Sequence, residues 1–295
     1  LDGAIRLADV PFTIDSSATF GFSQRLPERS YDLRVERFGY RVLTDTVKIS
    51  AAAPSTRIYR LQRAPRILLV DGDAWIYSGA VDLYRAALDR MGYLYDVHSV
   101  SDDFAGPGKP GGPPTTATMA RYDLVIWASP LSSPNKVMGA YELGGYLAGG
   151  GRLIVSGQDL LCQDSGREVP GKPCNENGPV LPYVRDQLLV KVVADTAIGA
   201  TQLSGVAGGP LADLRFTLND PGGLQNQSSP DALALRDEAR GRLILRYGGG
   251  QGAAALVDTC TGYRAAVLGF GLEGIGDTAA RARLLDRVIQ ALMAP

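Results

Sequence analysis

Ser156-Gly157-Gln158-Asp159 comes nearest to chemistry of any segment in this chain. It closes the apolar run Arg152–Ser156, so Ser156 stands where a strand passes into a tight turn, a position from which a serine hydroxyl can act as nucleophile. Such a hydroxyl needs a base within hydrogen-bond reach. The only histidine, His98, falls inside another strand-like run, and none follows Ser156. A histidine so placed is expected to pack or face solvent. The plainer reading of the turn is that Gly157 permits it and Gln158 or Asp159 satisfies backbone donors.

Carboxylates form the second set. Asp71-Gly72-Asp73 ends a buried run, and Glu273 in GFGLEG lies just past another. In open α/β sheets the carboxyl ends of strands line the ligand crevice. Asp71, Asp73, Ser129, Ser156 and Gln158 are therefore expected to converge at one rim, with Glu273 on the same side. Paired carboxylates there could hold Ca²⁺, but no EF-hand spacing accompanies them and turn chemistry explains Asp-Gly equally well. The expectation is no cofactor, with Ca²⁺ at the rim the one exception the residues admit. Glu273 is expected to pair with an arginine rather than bind a ligand. Trp75, with Ile76 and Tyr77, offers an aromatic loop at the crevice, for a protein or glycan partner or for sealing against the preceding module. Gly149–Gly151 and Gly248–Gly250 are neither GxGxxG nor a P-loop, and read as a helix stop and a strand turn.

The elements that must position these groups change character along the chain. Up to about residue 62, Ala18–Ser23, Tyr31–Val35, Tyr40–Ile49 and Arg57–Leu61 alternate in strand fashion between short polar turns, which predicts a small antiparallel sandwich. Ala51–Ser55 reads as a linker and Ala64-Pro65 as a boundary. Arg66–Asp71 is then continuously apolar up to its aspartate, the mark of a strand buried on both faces. Val81, Tyr84, Leu88 and Met91 follow at helical spacing. Strands are expected at Leu94–Val100, Tyr122–Trp127 and Arg152–Ser156, with a helix at Lys136–Ala148 and a long Gly/Pro-rich loop at Asp102–Thr118. Further strands are read near Leu188–Val193, Leu214–Leu218, Leu243–Tyr247 and Ala253–Val257, then a buried one at Tyr263–Phe270. The closing helix is capped by Asp277. This alternation predicts a parallel sheet with helices on both faces.

The bulk numbers exclude several classes. The chain has 295 residues, 45% hydrophobic and 21% charged, with a formal net charge of −1. That length has room for two domains, and so small a charge gives no broad drive toward nucleic acid or an anionic membrane. No apolar run is long enough to span a bilayer as a helix, and no signal peptide is read. The opening LDGAIRL reads as mid-domain sequence, so the chain is expected to be a piece of a longer polypeptide. Cys162 and Cys174 share one polar loop and could close a disulfide worth about 3 kcal/mol, as suits an oxidising compartment; two free thiols are the alternative. The third cysteine, Cys260, and the lone His98 do not complete a zinc pattern.

Two stretches carry family resemblances. GAIRL followed by SATFGFSQRLPERSYDLRVERFGYR resembles the carboxypeptidase regulatory-like module, which implies a small transthyretin-like β-sandwich over residues 1–63, with the first family strand weak or missing. ILLVDGD, DRMGYLYDVHSV, RYDLVIWASP, AGGGRLIVSGQDL, PGGLQNQSSPD and GYRAAVLGFGLEGI, in that order over 66–295, resemble accessory domains that follow secreted subtilisin-like serine peptidases. The second resemblance implies a flavodoxin-like, doubly wound, mostly parallel sheet related to class I glutamine amidotransferases, in an extracellular or cell-surface protein. Its first implied partner is a peptidase domain of the same polypeptide. A subtilisin unit needs Asp, His and Ser in one geometry, and an amidotransferase needs Cys where Ser156 stands. The expectation is accordingly a non-catalytic accessory region serving in spacing, stabilisation, or engagement of substrate or surface. A diverged hydrolase or amidase using Ser156 or a rim metal, and a carbohydrate- or peptide-binding module, are the alternatives.

Overall fold

The structure, a computed structural model, describes residues 4–7, 10–13, 26–50, 57–76, 79–102, 104–131, 134, 137, 139–160, 181–258 and 262–295, with side chains from residue 26 onward. Ala18–Ser23, Tyr77 and all three cysteines, Cys162 and Cys174 included, lie outside the described residues.

The N-terminal part is one antiparallel sheet. Its strands are β1 (Ala4–Leu7), β2 (Val10–Thr13), β3 (Ser30–Glu36) and β4 (Leu43–Lys48), in the order β2-β1-β3-β4. Alternation along β3 puts Tyr31, Leu33 and Val35 on a single apolar face with Val47 of β4, as the two-residue period of a strand requires. The expected two-layer sandwich does not form among the described residues. The run Arg57–Leu61 is not a strand: it lays Tyr59 and Leu61 against that apolar face and pairs only through a Tyr40–Arg63 bridge.

The rest of the chain builds an eleven-stranded sheet. In sequence it runs β5 (Ile67–Asp71), α1 (Ala80–Arg90), β6 (Tyr95–Ser99), α2 (Thr116–Met119), β7 (Leu124–Ala128), α3 (Ala140–Ala148) and β8 (Arg152–Ser156). A π-helical turn, Tyr183–Leu188, then leads to β9 (Val190–Ala194), β10 (Gln202–Gly205), β11 (Arg215–Thr217), β12 (Ala232–Leu235), β13 (Gly241–Tyr247), β14 (Gly252–Asp258) and β15 (Arg264–Leu268). A 3₁₀ turn, Leu272–Gly274, and α4 (Thr278–Met293) complete it.

This architecture overturns the flavodoxin-like, doubly wound expectation. Strand outweighs helix, and parallel pairing is confined to the row β6-β5-β7-β8-β15. The six strands β9 to β14 pair antiparallel, continuing the same sheet beyond β15 through β14, β13, β10 and β11, with β12 and β9 branching from β14. The cause is loop length. A parallel connection needs a crossover of a dozen or more residues, whereas Gly248–Gly250 joins β13 to β14 in a tight turn that returns the chain beside itself. The strands at Gln202–Gly205 and Ala232–Leu235 were not legible as periodic runs.

Both faces of the parallel row are covered. Ile67, Leu69, Leu124, Ile126, Ile154 and Ala266 pack with α1 and α4, whereas Leu68, Val70, Val125, Trp127, Leu153, Val155 and Val267 pack with α3 and the Tyr183–Leu188 turn. Asp277 caps α4 by accepting from the Ala279 and Ala280 amides. No helix among the described residues is long and apolar enough to cross a membrane.

The two parts meet chiefly around Arg41, with Phe38 edge-on to Tyr122 beside it. Arg41 lies with its guanidinium carbon 3.6 Å from the centre of the Tyr93 ring, donates to the Met91 carbonyl, and reaches Asp286 of α4 at 2.5 Å. The Val42 amide donates to the Gly92 carbonyl at 2.8 Å.

Candidate functional site at the strand ends

Ser156 is the last residue of β8 and is buried. The next residue must be glycine: a Cβ on Gly157 would sit 1.8 Å from the Ser129 carbonyl oxygen. The Ser156 hydroxyl donates to the Phe270 carbonyl at 2.9 Å and accepts from the Leu272 amide at 3.2 Å. It also lies 2.9 Å from the Tyr84 hydroxyl.

Tyr84 connects this serine to Glu273. The Tyr84 hydroxyl donates to Glu273 Oε2 at 3.0 Å, and the side-chain amides of Asn226 and Gln227 each donate to Oε1 at 3.0 Å. Glu273 is fully buried, and that burial pushes its carboxyl above the usual carboxylate range, against the pull of these donors. The expected arginine pairing is corrected here. Glu273 takes three neutral donors, while the buried Arg281 donates to the Ile275 carbonyl.

Gln158 joins the same network from the other side. Its Oε1 accepts from the Ser228 and Ser229 amides at 2.7 and 3.0 Å, and its Nε2 donates to the Asn226 carbonyl at 2.5 Å. Gln158 thus satisfies backbone donors, though of a segment about seventy residues away in sequence rather than of its own turn.

Asp71 and Asp73 form a neighbouring group. Asp73 is fully buried and accepts from the Leu131 amide at 2.8 Å, tying the loop after β5 to the loop after β7. Ser129, on that second loop, is buried and donates its amide to the Ser156 carbonyl at 2.9 Å. Asp71 Oδ1 is buried with no hydrogen-bond partner. Its carboxyl is pushed up from 3.8 to about 6, first by burial and then by the charge of Asp73, with Arg85 opposing. Trp75 is half-buried and Ile76 exposed on the loop that follows.

The sign of the Asp71 effect is testable. A carboxyl with a raised folded-state pKa contributes stability fully present below the unfolded value and lost as pH rises through the folded value. For Asp71 that window runs from about pH 4 to about 6. Asp71→Asn is expected to stabilise the chain at pH 7 by about 1–2 kcal/mol after discounting for solvent screening, and to be neutral at pH 4. Urea midpoints of the two proteins at both pH values check this; an asparagine variant less stable at pH 7 would reverse the sign.

A third cluster was not anticipated. Carboxylate oxygens of Asp159, Asp195 and Asp231 lie within 4.8 Å of one another. Asp159, in the left-handed region with φ 53°, accepts from the Ser229 hydroxyl at 2.8 Å. Burial, ahead of the charge of Asp195, holds its carboxyl above the usual range. Such a set suits shared protons or a hard cation, and among the described residues it is the group of three carboxylates close enough to share one ion.

The structure therefore brings Ser156, Gln158 and Glu273 into one network and sets Asp71, Asp73 and Ser129 beside it. His98 is elsewhere, on the edge strand β6, with Nε2 2.8 Å from the Gly112 carbonyl. Tyr84, Asn226 and Gln227 are the members that sequence reasoning missed. Tyr84 stood in an apolar helical stripe, where a phenol reads as core; Asn226 and Gln227 stood in a polar loop with no periodicity. An open apolar groove also lies elsewhere, between α3 and Leu181–Gln187, lined by Tyr141, Pro182 and Tyr183. Compared with models of known protein families and with curated proteins, the chain matches none.

Proposed function

We propose that this chain is a non-catalytic accessory region of a secreted subtilisin-like serine peptidase, acting in spacing, stabilisation, or engagement of substrate or surface. The observation that carries the reading is the commitment of Ser156: its proton goes to the Phe270 carbonyl, its oxygen takes the Leu272 amide, and its side-chain neighbour is a tyrosine rather than a base. A nucleophile must be free to transfer that proton to a base; here the hydroxyl serves to join β8 to the turn after β15.

The surface favours engagement as part of the role. Ile76, Phe104 and Leu131 are 44%, 89% and 36% exposed, on the loops that follow the adjacent strands β5, β6 and β7. Large apolar side chains gathered at one end of a sheet are the kind of surface that partners cover.

The purified chain is expected to release no product from casein, fluorogenic peptides or p-nitrophenyl esters above a no-protein blank. Ser156→Ala is expected to lower stability by about 1–3 kcal/mol by leaving the Phe270 carbonyl without its hydroxyl donor, while the Leu272 amide keeps the Tyr84 hydroxyl as acceptor. Turnover by the parent chain that disappears in Ser156→Ala would overturn the reading in favour of a hydrolase.

A further inference from the structure

We infer that residues 219–231 form a polar strap that closes over the strand ends and opens as a unit, independently of the sheet. Between Leu218 and Ala232 the segment adds no Val, Ile, Leu, Met or aromatic side chain to the buried core: Leu224 is half-buried, and the buried side chains before Asp231 are those of Gln227 and Pro230. Its attachments are hydrogen bonds. Gln158 takes the Ser228 and Ser229 amides, Asp159 takes the Ser229 hydroxyl, and Glu273 takes Asn226 and Gln227. Gln227 Oε1 in turn accepts from the Gly271 amide at 2.7 Å, and the Leu224 amide donates to the Glu273 carbonyl at 2.8 Å.

The first end of the strap is a sharp turn. Asn219 at φ 59° and Gly222 at φ 96° both occupy the left-handed region. Asn219 also clasps the strap on itself, giving its Nδ2 to the Gln227 carbonyl and taking the Gln227 amide, at 2.8 and 3.0 Å. That clasp makes the segment a closed loop, so it moves as one piece. Pro230 and the fully buried Asp231 fix the far end, where the Asp231 amide donates to the Gly269 carbonyl at 2.6 Å.

A segment held mainly by hydrogen bonds has a lower opening free energy than strands held by buried apolar area, because each exchanged hydrogen bond contributes little net while apolar burial accumulates. Opening frees Gln158, Asp159 and the Oε1 side of Glu273 from the strap, and so sets access to the segments that follow β8 and β15.

Hydrogen exchange read by mass spectrometry on the whole chain tests this. In the unaltered protein, amides of 224–229 are expected to exchange through an opening nearly insensitive to low urea, while those of β7, β8 and β15 follow the steep urea dependence of global unfolding. Ser229→Ala and Gln158→Ala are each expected to raise exchange of 224–229 by about tenfold or more and leave the three strands unchanged. Equal urea dependence of strap and strands, or variants that speed all of them alike or none, would overturn the inference. The urea comparison needs no variant, so a misfolded Gln158→Ala leaves the test intact.

Discussion

Glu273→Ala is expected to cost about 3–5 kcal/mol, enough to unfold much of the chain, whereas Glu273→Gln is expected to stay within about 1 kcal/mol of the parent. Alanine removes an acceptor from the buried Tyr84 hydroxyl, from the half-buried Asn226 amide and from the buried Gln227 amide, of which Gln227 keeps Asn226 Oδ1. It also opens a cavity beneath the strap. Glutamine keeps the volume and keeps an oxygen for Asn226 and Gln227. Its new amide group would face Tyr84, whose hydroxyl can turn its proton to Ser156 Oγ, 2.9 Å away, and accept instead. Burial disfavours the charged form of the Glu273 carboxyl, so a neutral amide is expected to take its place at little cost. Guanidinium denaturation of the three proteins decides it. A glutamine variant as damaged as the alanine one would mean that the negative charge is required, and with it an attraction to Arg281 stronger than the geometry indicates.

Arg41→Ala is expected to cost about 2–4 kcal/mol and to separate the N-terminal sheet from the larger one. The side chain does four things at once, one of them a hydrogen bond to the Tyr93 hydroxyl at 2.6 Å. It stacks on Tyr93, donates to the Met91 carbonyl, and pairs with Asp286, which also takes the Tyr93 hydroxyl at 2.8 Å. With side-chain exposures of 16% and 10% for Arg41 and Asp286, loss of the arginine strands a largely desolvated carboxylate. Lysine should restore little, since an ammonium neither stacks flat on the ring nor reaches the carbonyl, the hydroxyl and the carboxylate together. In the parent chain the two parts should melt together. In Arg41→Ala the N-terminal sheet should melt first and become cleavable by added protease between residues 37 and 63. A single unshifted transition would show that the Val42–Gly92 hydrogen bond and the remaining contacts suffice.

Much of the fold was legible because strong periodicity has one structural solution. The continuous apolar runs at 67–71, 124–128, 152–156 and 264–268 had to be strands buried on both faces, and the stripe Val81, Tyr84, Leu88 had to be a helix face. The cap at Asp277 and the helix stop at Gly149 follow equally from local chemistry. Pairing direction did not follow. The apolar patterns of β12, β13 and β14 do not say which neighbour each will choose. Treating them as further parts of a doubly wound sheet missed that their connections are too short to cross over. In the N-terminal part, Tyr59 and Leu61 alternate as a strand would, yet they cover a sheet face without joining it, because alternation reports burial and not hydrogen bonding.

The sequence alone determined that Ser156 lacks a histidine partner and that Asp71, Asp73, Ser129, Gln158 and Glu273 belong at strand ends, since both follow from composition and from where apolar runs stop. Only the tertiary structure decided what those groups do there. Whether a buried carboxylate meets an arginine, a metal or three amides depends on which distant segments the fold delivers to it. The 219–231 strap, more than forty residues from Glu273 along the chain and about seventy from Gln158, left no periodic trace of its destination. A hydrogen bond is specified by positions in space, whereas a hydrophobic stripe is already specified by spacing along the chain. That difference is why the strands and helices could be read in advance and the network around Glu273 could not.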